Sequence, residues 1–140
     1  MAVLVSGGMG YIGSHTTIEL LQAGYDVVIA DDLSNSKELV KERIENITGK
    51  SVKFYNVDLT KEDLTEKIFK ENDIDSVIHF AAFKAVGESV EKPLEYYYNN
   101  LTSALTVLKV MKKYKCKNFV FSSSATVYGD AKVVPITEES

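Results

Sequence analysis

The sequence predicts an α/β domain built on a doubly wound parallel sheet. Three observations carry that reading. Strand-length apolar runs alternate along the chain with stretches of helical periodicity. The runs VLV, VVIA and FVF are continuous, as they are in strands covered on both faces. A glycine cluster joins the first run to the first helical stretch, and an acidic pair ends the second run.

The elements follow in order. Ala2–Ser6 reads as a first strand, and residues 14–23 as a helix that Gly24 is placed to end. Asp26–Asp31 is a second strand, rich in β-branched residues. Residues 37–47 form a weaker helix and residues 52–58 a third strand. A helix over 61–71 follows, with Thr60 as N-cap and Asp63 at N3. Residues 76–82 are a fourth strand, 93–115 a long helix with Pro93 in its first turn, and 118–124 a fifth strand. Strands and helices in strict alternation imply βαβ units, with strand order 3-2-1-4-5 as the natural arrangement.

Composition narrows the partners. The chain has 140 residues, 45% of them hydrophobic and 26% charged, which suits one soluble domain with a sizeable core. Its net charge of −4 argues against nucleic acid, whose phosphate backbone calls for a basic surface. Cys116 is the single cysteine, so no internal disulfide forms, and an unpaired thiol fits a reducing cytoplasm. No apolar run approaches the roughly 20 residues of a membrane helix, and residues 2–5 lead straight into glycines rather than a signal-peptide core.

Between the first strand and first helix stands Gly7-Gly8-Met9-Gly10-Tyr11-Ile12-Gly13. It holds G-x-G-x-x-G as Gly8, Gly10 and Gly13, and G-x-x-G-x-x-G as Gly7, Gly10 and Gly13. Either spacing gives a tight turn, a close backbone approach to a pyrophosphate and close helix–strand packing. The next helix then aims its N–H groups and positive dipole end at the phosphates. Asp31, 18 positions beyond Gly13, is placed to accept hydrogen bonds from the adenosine ribose. Asp32 adjoins it and no Lys or Arg intervenes before Lys37, so the pair would repel a 2′-phosphate. The dinucleotide expected is therefore NAD rather than NADP, bound by a Rossmann fold spanning residues 1–140. Asp58 at the end of the third strand has two readings: a bond to the adenine amino group with Leu59 packed on the ring, or a turn former at a helix entry.

The remaining motifs are longer. Val77-Ile78-His79-Phe80-Ala81-Ala82-Phe83-Lys84-Ala85-Val86-Gly87-Glu88-Ser89 resembles the fourth-strand loop of the UDP-galactose (UDP-glucose) 4-epimerase family, within the extended short-chain dehydrogenase/reductase superfamily. So do Lys92-Pro93-Leu94-Glu95-Tyr96-Tyr97, Asn99-Asn100 and Phe121-Ser122-Ser123-Ser124-Ala125-Thr126-Val127-Tyr128-Gly129. The resemblance runs in register from Val3 to about Tyr128. It implies that Tyr11, Ile12, Asp31, Asn35, Ser36, Asp58 and Leu59 hold the adenosine and phosphate half of NAD. It places Phe80, Ala81, Ala82 and Lys84 around the nicotinamide half, with Asn99 nearby. Ser124 would hydrogen-bond the hydroxyl of the sugar carbon being oxidised, making it the catalytic and substrate-contacting residue of this chain. The activity implied is inversion of carbon 4 of a UDP-sugar through a transient 4-keto sugar, by a cytoplasmic homodimer whose interface includes helix 93–115. No metal site is expected. His79 reads as a packed strand residue, and Tyr96, Tyr97 and Tyr98 as helix packing rather than a stacking platform.

In that superfamily the base is a helical tyrosine with a lysine four residues on, one turn apart on one face. Tyr128 and Lys132 have this spacing, but they directly follow the fifth strand, and Gly129-Asp130 favours a turn. The chain is accordingly expected to be an amino-terminal part, with the true Tyr–Lys pair and the sugar-nucleotide domain beyond residue 140. Ala82 and Ser103 stand where glycine is common in the family. A 4,6-dehydratase would need an acid–base carboxylate pair after Ser124, where Ala125 and Thr126 stand instead. Epimerases of N-acetylated or carboxylated UDP-sugars, and a non-catalytic NAD-binding module, stay open as alternatives.

Overall fold

A computed structural model describes residues 1–33, 37–81 and 90–140. Strands β1 (Ala2–Ser6), β2 (Asp26–Asp31), β3 (Lys53–Asn56), β4 (Ile74–His79) and β5 (Asn118–Phe121) form one sheet in the order β3-β2-β1-β4-β5. Every pairing is parallel. Helices α1 (Tyr11–Gln22), α2 (Leu39–Thr48), α3 (Glu62–Glu71) and α4 (Pro93–Lys113) lie between successive strands, and a 3-10 turn at Ala125–Tyr128 follows β5. This is the Rossmann-like α/β architecture that the alternation of elements predicts.

The alternation of side chains along each strand explains the two layers. Val3 and Val5 of β1 join Ile29, Leu21 and Ile44 in a core under α1 and α2. Leu4, between them in sequence, joins Val28, Val77, Ile68 and Val107 under α3 and α4. An apolar run with no polar alternation is thus a strand read on both faces.

Several boundaries differ from the sequence reading. Helix α1 begins at Tyr11, three residues early, because Gly10 is its N-cap in an extended conformation and contributes no capping side chain. Gly13, read as loop, is thereby inside the helix. Helix α3 begins at Glu62 with Lys61 as N-cap, so Asp63 is at N2. Thr60 does not cap it: its N–H and hydroxyl both donate to Asp58 Oδ1, at 2.9 and 2.7 Å. Strand β5 stops at Phe121, since the ladder with β4 ends at the pair His79–Phe121. Residues 122–124, and likewise 80 and 81, lie past the end of the ladder. Tyr96 is buried as a packing residue, but Tyr97 and Tyr98 are exposed. Cys116 is buried, and that burial pushes its thiol above the usual range. Among the described residues no helix is long and apolar enough to cross a membrane, and no group of His, Cys, Asp or Glu could hold a metal ion.

Candidate functional site

In the order β3-β2-β1-β4-β5 the winding of the sheet reverses between β1 and β4, and in such sheets ligands bind outside the carboxyl ends of the strands at that point. Ser6 of β1 is level with Ala30 of β2 and with His79 of β4. The glycine loop, Asp31, Asp58, Phe80 and Ala81 therefore all leave the sheet along one edge.

The glycine loop is defined by what a side chain would meet. Gly7 has φ +75°, and a Cβ there would lie 2.9 Å from both Phe80 C and Ala81 N. A Cβ on Gly13 would come within 2.1 Å of the Gly7 carbonyl oxygen. Both positions are closed to any larger residue by backbone. Gly8 abuts the buried side chain of Ile29. Gly10 differs: its Cβ would meet only Gly7 O, at 3.4 Å. The protein does not need glycine at position 10 for its own packing. Open space is kept there, at the N-terminus of α1, where a ligand backbone would approach. Ser14 N–H bonds Gly10 O at 2.8 Å as the first turn closes. The N–H groups of Tyr11, Ile12 and Gly13 precede that bond, so helix geometry gives them no carbonyl. The first turn carries no acidic side chain to compete for an anion. Tyr11 is 81% exposed and tilts over His15, whose Nδ1 donates to the Tyr11 carbonyl at 2.8 Å.

Asp31 is 9% exposed at the end of β2. Its Oδ2 accepts from Met9 N–H at 3.1 Å and its Oδ1 from Leu33 N–H at 2.8 Å. One carboxylate thus ties the glycine loop to the loop after β2. Met9 plugs the loop into the core below with a fully buried side chain. Sequence reasoning missed Met9, whose signal was a large apolar residue flanked by glycines.

Asp58 fulfils the turn reading through its Thr60 bonds, both of which use Oδ1. Leu59 is 4% exposed and sits in the core with Val28, Ala30 and Phe69. Asn35, Ser36, Ala82 and Lys84 lie outside the described residues.

Beside β1, the Ala81 peptide is held from two sides. Its N–H donates to Ser6 Oγ at 3.4 Å, and its carbonyl accepts from Ser103 Oγ of α4 at 3.4 Å. Ser103, which is buried, therefore joins α4 to the segment after β4. Asn99 lies one turn nearer the carboxyl edge of the sheet, on a helix that runs back along it, and donates to Asn100 Oδ1 at 3.1 Å. Phe80 packs against the core under α1.

Ser124 lies three residues past β5, exposed, as N-cap of the 3-10 turn. Its Oγ accepts from Thr126 N–H at 3.2 Å and shares a 2.8 Å bond with the Thr126 hydroxyl. Tyr128 ends that turn, and Gly129 follows at φ +65°. No α-helix carries Tyr128 and Lys132, so they do not stack as a helical pair.

The profile of the NAD dependent epimerase/dehydratase family matches residues 3–140. The chain belongs to that family. It is 59% identical over 139 residues to the UDP-glucose 4-epimerase of Haemophilus influenzae, covering 99% of this chain and 41% of that protein. The corresponding enzyme of Pasteurella multocida is 61% identical over 138 residues, again with 99% and 41% covered. Among solved structures, the UDP-glucose 4-epimerase of Bifidobacterium longum, in complex with NAD+ and UDP, superposes with a TM-score of 0.96 at 60% identity, over 99% of this chain and 42% of that one. This member of the family therefore spans about two fifths of the length of the curated relatives it matches.

Proposed function

We propose that this chain is the NAD-binding part of a UDP-glucose/UDP-galactose 4-epimerase. The observation that carries the proposal is the contrast within the glycine loop. Backbone contacts close Gly7 and Gly13, whereas Gly10 faces open space beside helix-start N–H groups that have no partner within the helix. The NAD+ and UDP bound in the Bifidobacterium longum relative support the same reading.

The residues present fit the dinucleotide. Tyr11, Ile12 and Gly13 offer backbone N–H groups and the positive end of α1 to its phosphates. Asp31, held in place by Met9 and Leu33, is assigned to the hydroxyls of the adenosine ribose. With Asp32 beside it, a 2′-phosphate would be repelled, which selects NAD over NADP. Asn35 and Ser36 are assigned to the same half, as are Asp58 for the adenine amino group and Leu59 for its ring. Phe80, Ala81, Ala82, Lys84 and Asn99 are assigned to the nicotinamide half. NAD, when bound, supplies a reversible acceptor for the hydride of sugar carbon 4. Ser124 is assigned to the 4-hydroxyl of the sugar, oriented by Thr126 through their shared bond. Ala125 and Thr126 supply no carboxylate, which favours an epimerase over a dehydratase. The general base and the sugar-nucleotide pocket are assigned to a part of the protein outside these residues, as is the choice among UDP-sugars. The protein is further proposed to be cytoplasmic and to dimerise through α4, which exposes Leu94, Tyr97, Leu101 and Leu105 along one stripe.

Ser124→Ala in the full-length protein tests the catalytic assignment. Turnover should fall far more than NAD affinity, because a hydrogen bond at the reacting carbon strengthens as charge develops. Unchanged turnover would leave Ser124 as a turn residue only.

A further inference from the structure

His79 is 1% exposed at the carboxyl end of β4, stacked with Phe121 and tilted to Phe119 across the β4–β5 pair. The ring packing alone would suit a phenylalanine as well. The hydrogen bonds would not. His79 Nδ1 lies 2.6 Å from Ser6 Oγ, whose side chain is also fully buried. The same Ser6 oxygen accepts N–H from Phe80 at 3.2 Å and from Ala81 at 3.4 Å. A hydroxyl has two lone pairs and one proton. Two amide donors fill the lone pairs, so the proton must point at Nδ1. Were Nδ1 protonated, three N–H donors would converge on one oxygen and the hydroxyl proton would lack an acceptor among the described residues.

We infer that His79 is a positioning residue: as the neutral tautomer with Nδ1 unprotonated, it takes the Ser6 proton and so turns both Ser6 lone pairs toward the Phe80–Ala81 segment that lines the nicotinamide half of the site. Phe80 N–H has a second acceptor in the Ser6 carbonyl at 2.8 Å, so the Ala81 amide is the group that depends on this arrangement. Gly7 packs directly against the same peptide, which makes the glycine loop and the Ala81 segment one unit. His79 itself acts through Ser6 and need not touch the cofactor. The inference rests on the NAD-binding assignment of Phe80 and Ala81.

The test uses the full-length protein carrying this chain, with histidine-selective 15N labelling and amide hydrogen exchange at Ala81. The wild type should show Nδ1 unprotonated and Nε2 protonated, and a protected Ala81 amide. His79→Asn, whose side-chain carbonyl can accept in place of Nδ1, should keep Ala81 protection and bind NAD within a few-fold of wild type. His79→Phe, which preserves stacking, should lose Ala81 protection and about tenfold in NAD affinity, the loss of roughly one buried hydrogen bond. A packing role predicts the reverse order of the two variants. A protonated Nδ1, or a Phe variant equal to wild type, overturns the inference. If the Phe variant does not fold, Ser6→Ala replaces it, with the same expected losses and the same overturning result. A wild type that binds no NAD sinks the cofactor assignment instead, while the tautomer and Ala81 exchange still decide the role of His79.

Discussion

Gly10 and Gly13 make opposite demands although they belong to one motif. A methyl group at 13 would sit 2.1 Å from a backbone oxygen, and one at 10 at 3.4 Å from the same atom. Gly13→Ala should therefore lower thermal stability sharply, whereas Gly10→Ala should fold with little loss and bind NAD poorly. Thermal unfolding beside an NAD titration separates the two. Equal stability losses would mean that Gly10 is structural as well. Asp31→Ala should lose hydrogen bonds made by a charged acceptor, on the order of 1.5–3 kcal/mol of NAD affinity. It should also narrow the preference over NADP, which a competition titration of both cofactors would read. Tighter NADP binding by the wild type would contradict the assignment of Asp31 and Asp32.

The strands were legible because burial on both faces leaves an unbroken apolar run, and Ala2–Ser6 and Asp26–Asp31 were read to the residue. Helix starts were less legible, since α1 and α3 use N-caps with no side-chain bond. The glycine loop and Asp31 announced themselves by spacing. Ser6, His79 and Ser103 did not, because short polar residues inside apolar strands and helices give no pattern until their partners are placed. A serine and a histidine ending two neighbouring strands was the only signal. Between elements, α3 and α4 are joined by Glu66, which accepts from Lys113 Nζ at 2.6 Å and from the Tyr114 hydroxyl at 3.1 Å. The Lys113 bond holds the Glu66 carboxyl below its ordinary 4.5 and the Lys113 ammonium above its ordinary 10.5. The carboxylate bond thus contributes fully above about pH 4.5 and is lost as pH falls through the lower folded value. The lysine contribution is present below 10.5 and is lost as pH rises through its higher folded value. Glu66→Gln should make stability fall less steeply below pH 4.5, as measured by urea unfolding across that range. An unaltered slope would show that the pair is fully screened by solvent.

At the scale of the whole molecule, two of the exposed apolar regions among the described residues bear on assembly. Along α4, Leu94, Tyr97, Leu101 and Leu105 are exposed at helical spacing. At the edge of the sheet, Val120 and Phe121 of β5 are exposed, with an unpaired strand edge beside them. A second copy on the α4 stripe is the proposed partner for the first. Leu101→Glu with Leu105→Glu should convert the full-length protein from dimer to monomer in sedimentation, and an unchanged mass would move the interface elsewhere. The exposed β5 edge predicts that the 140-residue chain alone self-associates. No turnover is expected of that chain alone, because Tyr128 and Lys132 share no helix and the general base and sugar-nucleotide pocket are assigned to another part of the protein.

The central claim is NAD-dependent inversion at carbon 4 by the protein to which this chain belongs. Its most direct test is to follow conversion of UDP-galactose to UDP-glucose by chromatography, using the full-length protein and, in parallel, the 140-residue chain with added NAD. Turnover by the full-length protein, with no net consumption of NAD, and none by the chain alone are the expected results. Absence of turnover in the full-length protein would contradict the proposed activity. Turnover by the chain alone, abolished by Tyr128→Phe, would instead show that the catalytic base lies within these residues.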